Sequence, residues 1–157
     1  MYYEYYRKEI KYKQKIIDTT LTFVKKNGLW GTIIGGACED YDGIEILLRL
    51  ARETEYRKDD IKRLVQKTKK TILRNELEGS FPYRFFKESI KLRWFTPKSK
   101  LEKIVYAYSG LNFISTPLYF PDIWATYFRI LTIKRIDIYL QGINNISMYT
   151  LPAWGYF

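Results

Sequence analysis

With 157 residues the chain is the size of one ordinary domain and can hide about 70% of its unfolded-chain surface, so a single core across 1–157 is expected. Apolar residues at 46%, aromatics at 18% and charged residues at 28% exclude a disordered chain, while one cysteine, Cys38, and no histidine exclude an internal disulfide and any histidine-based catalysis or histidine-ligated metal. The net charge of +10 is local: residues 57–103 hold fifteen basic side chains against six acidic ones, whereas residues 1–56 cancel.

Along 12–26 the apolar residues Ile16, Ile17, Leu21, Phe23 and Val24 recur at helical spacing, and Asn27-Gly28 supplies a stop, so a first helix is expected there. The glycines of 29–37 predict a loop. Asp42-Gly43-Ile44-Glu45 reads as an N-cap with its capping-box partner, opening an apolar inner helix that runs to about Arg52. Asp59 and Asp60 suit the positive end of a third, amphipathic helix through Ile61, Leu64, Val65, Thr68, Ile72 and Leu73. A loop follows at 78–82. Between Pro97 and Pro117 one short helix is expected near 100–108, and Pro121-Asp122 opens a last helix through Ile123, Trp124, Tyr127, Phe128, Ile130, Leu131 and Ile133.

These elements repeat. Gly28-Leu29-Trp30-Gly31 and Gly79-Ser80-Phe81-Pro82 are Gly-x-aromatic turns 51 positions apart, each preceding an apolar helix, and Asp42 with Arg49 matches Asp122 with Arg129 in spacing. The pattern is outer helix, aromatic loop and inner helix, twice over. It resembles the repeats of the α/α-toroid superfamily that includes protein prenyltransferase β-subunits and squalene or diterpene cyclases. The run from Gly35 through Cys38, Glu39, Asp40 and Asp42 to Ile44, the segment from Asp122 to Arg129, and the ending Leu151-Pro152-Ala153-Trp154-Gly155-Tyr156 are similar to a group of uncharacterised bacterial proteins with that fold. The resemblance implies an all-α chain, a partial α/α toroid of five or six helices. A closed ring needs roughly twice this length, so a homo-oligomer or a second chain completing the wall is expected. The tyrosines at 2, 3, 5 and 6 are the natural contact.

Glu39, Asp40 and Asp42 are the candidate catalytic residues, because three crowded carboxylates raise one another's pKa and can make one a general acid. In the resembled cyclases an Asp-rich motif donates the initiating proton. The competing reading is structural: Asp42 caps its helix and Asp40 holds the loop. Trp30, Tyr41, Phe81, Asp122 and Trp124 are candidates to line an apolar ligand cavity, with core packing as the alternative. Prenyltransferases hold zinc through Asp, Cys and His, and without histidine no metal and no cofactor are expected. The sequence holds no phosphate-binding Gly-Lys-Ser/Thr loop, dinucleotide fingerprint or serine nucleophile elbow.

The basic segment 57–103 can attract anionic lipid or a phosphorylated ligand, or serve only as a solvated face. Nucleic acid is not favoured, since no recognised binding module accompanies the basic and aromatic residues. Residues 1–15 hold no apolar stretch of the kind a secretory signal needs, and the later uncharged stretches are broken by Gly, Asn and Pro, so a cytoplasmic protein without a membrane span is expected. The functional expectation is a ligand-binding or accessory role. The alternative is an isoprenoid-acting lyase or transferase that uses Asp40 or Asp42.

Overall fold

The computed structural model describes residues 9–31, 36–84, 105–108 and 111–142. The tyrosines at 2, 3, 5 and 6, residues 32–35 of the expected loop and the 151–156 ending lie outside them. Among the described residues stand four helices, α1 (Lys13–Thr22), α2 (Ala37–Glu53), α3 (Lys58–Leu73) and α4 (Ile123–Leu140), and two strands, β1 (Val105–Tyr108) and β2 (Leu111–Pro117).

The helices form two hairpins. Lys13, at the start of α1, reaches Glu53, at the end of α2, across 3.0 Å, so these two run antiparallel. In the second hairpin Lys69 pairs with Asp137 while Ile72 packs in one cluster with Ile133, which makes α3 and α4 antiparallel too. The inner helices α2 and α4 are parallel, because Asp40 meets Arg129 and Glu45 meets Arg135. The core lies among them: Ile17 and Trp30, then Ile44, Leu47, Leu48 and Ala51 of α2, Ile61 and Val65 of α3, and Ile136 of α4. Spacings of three and four put these residues on single helix faces.

Several expected boundaries move, each for a local reason. Helix α1 stops at Thr22, short of Lys26: the hydroxyls of Thr20 and Thr22 bond back to the carbonyls of Ile16 and Thr19, and a tight turn over 25–29 follows. Helix α2 begins at Ala37 with Gly36 as its N-cap, so Asp42 is a mid-helix residue and does not cap it. Gly43 is not a turn glycine. A Cβ there would stand 2.5 Å from the Trp30 ring, so its missing side chain lets the indole lie directly on the helix. Helix α4 does open at Asp122, whose Oδ1 accepts from the Ala125 N–H at 2.9 Å.

Of the short helix expected near 100–108, residues 105–108 form strand β1 instead, and 100–104 lie outside the described residues. Val105 pairs with Pro117, Tyr106 with Thr116 and Ala107 with Ser115 in an antiparallel hairpin bulged after Ala107. The run Val-Tyr-Ala-Tyr carries β-branched and aromatic residues that suit a strand.

The repeat is visible in this geometry, but its register differs from the one that the Asp42 and Asp122 spacing suggested. Gly36, not Asp42, stands where Asp122 stands. Asp40 and Thr126 are each the fourth residue of their helix, and each accepts the backbone N–H of a loop aromatic: Trp30 at 2.6 Å and Phe81 at 3.0 Å. Arg49 and Arg135 are each the thirteenth, and both donate to Glu45 Oε1, at 2.5 and 2.6 Å.

Candidate functional site

Asp40 is wholly buried and has both carboxylate oxygens engaged. Oδ1 accepts the Trp30 N–H, and Oδ2 accepts from Arg129 Nη1, whose own side chain is 1% exposed. Arg129 Nη2 also donates to the Tyr83 carbonyl at 2.9 Å. Its Nε is buried without a hydrogen-bond partner among the described residues. Burial pushes the Asp40 carboxyl up to about 6, against the pull of the Arg129 charge and the Trp30 N–H. Asp40 makes no contact with solvent. The arrangement locks a loop and two inner helices together.

Beside it, at the start of α2, three polar side chains converge. Tyr83 OH donates to Glu39 Oε2 at 2.9 Å, and the Cys38 thiol lies 3.1 Å from the Tyr83 oxygen and 3.2 Å from the same Glu39 oxygen. The Glu39 carboxylate folds back over Gly36, where a Cβ would meet Oε2 at 1.9 Å. Burial raises the Cys38 thiol to about 11, and burial together with the thiol contact raises the Tyr83 phenol. Both groups stay protonated at neutral pH, donors rather than nucleophiles. Asp42 is exposed, and partial desolvation followed by the charges of Glu39 and Glu45 raises its pKa. The three candidate carboxylates therefore point three ways: Asp40 into the core, Glu39 to Tyr83, and Asp42 outward.

The aromatic candidates divide as well. Trp30 is buried on Gly43 and donates its indole Nε1–H to the Thr20 carbonyl at 3.0 Å. Phe81 is buried with Leu29 and Ile72. Tyr41 and Trp124 meet through Phe128, with ring centroids 5.8 and 5.1 Å from it. Among these candidates Trp124 is exposed, and Asp122 serves as a cap.

A cleft of about 640 Å³ opens at the opposite end of α2, lined by Arg52, Lys58, Asp59, Lys62, Tyr139 and Leu140 among others. It lies about 15–20 Å along the helix from Glu39 and Asp42. Part of the basic segment is neutralised locally, since Arg57 pairs with Asp18 and Asp60, Lys58 with Glu55, and Arg63 with Asp60. Residues 85–103 of that segment are outside the described ones. Among the described residues no group of three or more His, Cys, Asp or Glu could hold a metal ion, and no helix is long and apolar enough to cross a membrane.

No protein-family model, curated protein or solved structure matches the chain. The site must be read from its own geometry. Arg129 and Tyr83 stand beside Asp40 and Glu39 without having been singled out by the sequence: Arg129 entered only as the spacing match of Arg49, and Tyr83 not at all. The available signal was that Arg129 falls on the same face of α4 as Ala125, Thr132 and Ile136.

Proposed function

We propose that the chain is a ligand-binding or accessory protein of the α/α-toroid kind and not a catalyst. What carries this reading is the engagement of Asp40: the carboxylate best placed for general acid work already binds Arg129 and the Trp30 N–H, with no solvent contact. Two hairpins with parallel inner helices, each entered through an aromatic loop, support the toroid relation, and on that relation a second chain or a second copy completes the wall. We place the protein in the cytoplasm on the same reading.

The ligand that the cleft at the end of α2 suits is anionic. Arg52 and Lys62 line it with Asp59 and with Lys58, which is paired with Glu55, and the Tyr139 phenol, raised by burial, stays a neutral donor. A phosphorylated small molecule fits that chemistry. The test is native mass spectrometry of the chain purified from its own cells, with inorganic phosphate and pyrophosphate titrated by calorimetry. Binding that Arg52→Ala with Lys62→Ala weakens about ten-fold or more, and that falls with salt, supports the reading. A co-purifying neutral isoprenoid, or turnover of an isoprenoid diphosphate, overturns it.

A second reading, an isoprenoid-acting lyase or transferase, is favoured by one observation, the Asp40 carboxyl raised to about 6. On that reading Asp40→Asn abolishes turnover while the folded structure persists.

A further inference from the structure

The first half of α4 turns large apolar side chains outward: Ile123 is 90% exposed, Ile130 49% and Tyr127 41%. With the exposed Lys134 they form one stripe, on the side away from the buried Ala125, Arg129, Thr132 and Ile136.

In the register that sets Asp40 against Thr126 and Arg49 against Arg135, Ile123, Tyr127, Ile130 and Lys134 answer to Ala37, Tyr41, Ile44 and Leu48 of α2, all buried. Tyr41 packs on Phe128, Ala37 clusters with Ala125, and Ile44 and Leu48 share a cluster with Ile136. The four positions that seat a neighbouring helix on α2 are therefore open on α4, and three of them are large and apolar. A helix of another chain suits such a face.

We propose that this face is a twofold interface between two copies of the chain, with the two α4 helices antiparallel. The spacings along the stripe are four, three and four, which read alike in both directions, as a twofold helix pair requires. Ile123 then faces the partner's Lys134, and Tyr127 faces the partner's Ile130. The ends of the stripe are opposite in charge, Asp122 beside Ile123 and Lys134 three turns on, so each Lys134 lays its stem on Ile123 and carries its ammonium toward the partner's Asp122. A parallel copy fits less well: it would set its α2 on the stripe, and where α4 offers Phe128 to Tyr41, α2 offers Asp42, a carboxylate pressed onto the Tyr127 ring. With one carboxylate for one ammonium, the stripe has no charge bias toward an anionic leaflet. The pairing rests on the wall-completing role set out above and commits it to one partner, the chain itself.

The test is sedimentation velocity of the full chain over a dilution series, with enough salt to screen the repulsion between two molecules of net charge +10. A monomer–dimer equilibrium is expected, weakened about ten-fold or more in the Ile123→Ser, Ile130→Ser variant. Both side chains point outward, so the variant's thermal melt should match the parent. Cysteine pairs read the direction of the helices. In chains that also carry Cys38→Ser, Ile123→Cys mixed with Lys134→Cys should give a disulfide-linked dimer under copper-catalysed air oxidation, and neither should give one alone. A chain that stays monomeric at every concentration overturns the proposal but not the wall-completing role, which then falls to a different chain. Linked dimers from Ile123→Cys alone, or a dimer that the serine variant leaves intact, overturn it by showing a parallel pair or a contact elsewhere.

Discussion

Arg129 of α4 and Asp40 of α2 form an ion pair across 89 positions of sequence, with both side chains closed to solvent. Asp40 also fixes the Trp30 loop and Arg129 the Tyr83 carbonyl, so the pair joins the two hairpins and both of their loops.

Removing one partner leaves the other as an uncompensated buried charge. Arg129→Ala should therefore destabilise the fold by about 3–5 kcal/mol, read from urea denaturation midpoints. Replacing both partners with apolar residues, Asp40→Leu with Arg129→Met, should cost less than the single change. A single variant as stable as the parent would show that the pair does not join the hairpins.

The same carboxyl sets a pH dependence. Folding raises Asp40 from the usual carboxylate value to about 6, so the folded chain holds that proton more tightly than the unfolded one. Its contribution to stability should rise as pH falls from 7 through 6 toward the unfolded value near about 4, then level off. Asp42, raised as well, acts in the same direction. Thermal melts across this range should show the rise in the parent and a flatter profile in Asp40→Asn. A parent profile no steeper than the variant's would mean that Arg129 outweighs burial.

How much of this was legible in the sequence depends on what each signal measured. The amphipathic period of α3 and the cap at Asp122 are local, and both stand where expected. The start of α2 was misread because Asp42, Gly43 and Glu45 satisfy the capping pattern, while the helix begins at Ala37 with Gly36 as its N-cap and Gly43 lies mid-helix under the Trp30 ring. The repeat was legible as a pattern but not in register, since equal Asp-to-Arg spacings in two helices carry no information about which positions face the loops. Asp40 was found as a residue but not in its role. Its partner is one arginine among 27 basic residues, and only the packing of α2 on α4 singles it out.

Gly43→Ala tests the packing of the loop on the helix. Alanine favours a helix interior over glycine by about 1 kcal/mol, yet a Cβ 2.5 Å from the indole forces Trp30 to move. Net destabilisation of about 1–3 kcal/mol is expected, since overpacking outweighs propensity. A more stable variant would mean that the indole has room to shift.

The two aspartates once matched by spacing should separate on mutation. Asp122→Ala removes a formed cap and should cost about 0.5–2 kcal/mol. Asp42 is exposed and mid-helix, so Asp42→Ala should change stability by no more than about 0.5 kcal/mol. Chemical denaturation of both variants measures the contrast, and equal losses would return Asp42 to a capping role.

Cys38 separates a structural thiol from a reactive one. It is partly exposed, so access alone would permit alkylation, but burial raises its pKa from 9.0 to about 11 despite the Tyr83 contact that lowers it. The thiolate attacks, and a rise of that size thins it about a hundred-fold at neutral pH. Iodoacetamide should therefore label the folded chain far more slowly than the urea-unfolded chain. Glu39→Gln removes a nearby negative charge that raises the thiol pKa and should quicken labelling of the folded form. Tyr83→Phe removes the hydroxyl that lowers the pKa while keeping the ring in place, so it should slow labelling or leave it unchanged. Rapid labelling of the folded parent at neutral pH would show Cys38 to be an activated thiol and would give the start of α2 a chemical role in place of a structural one.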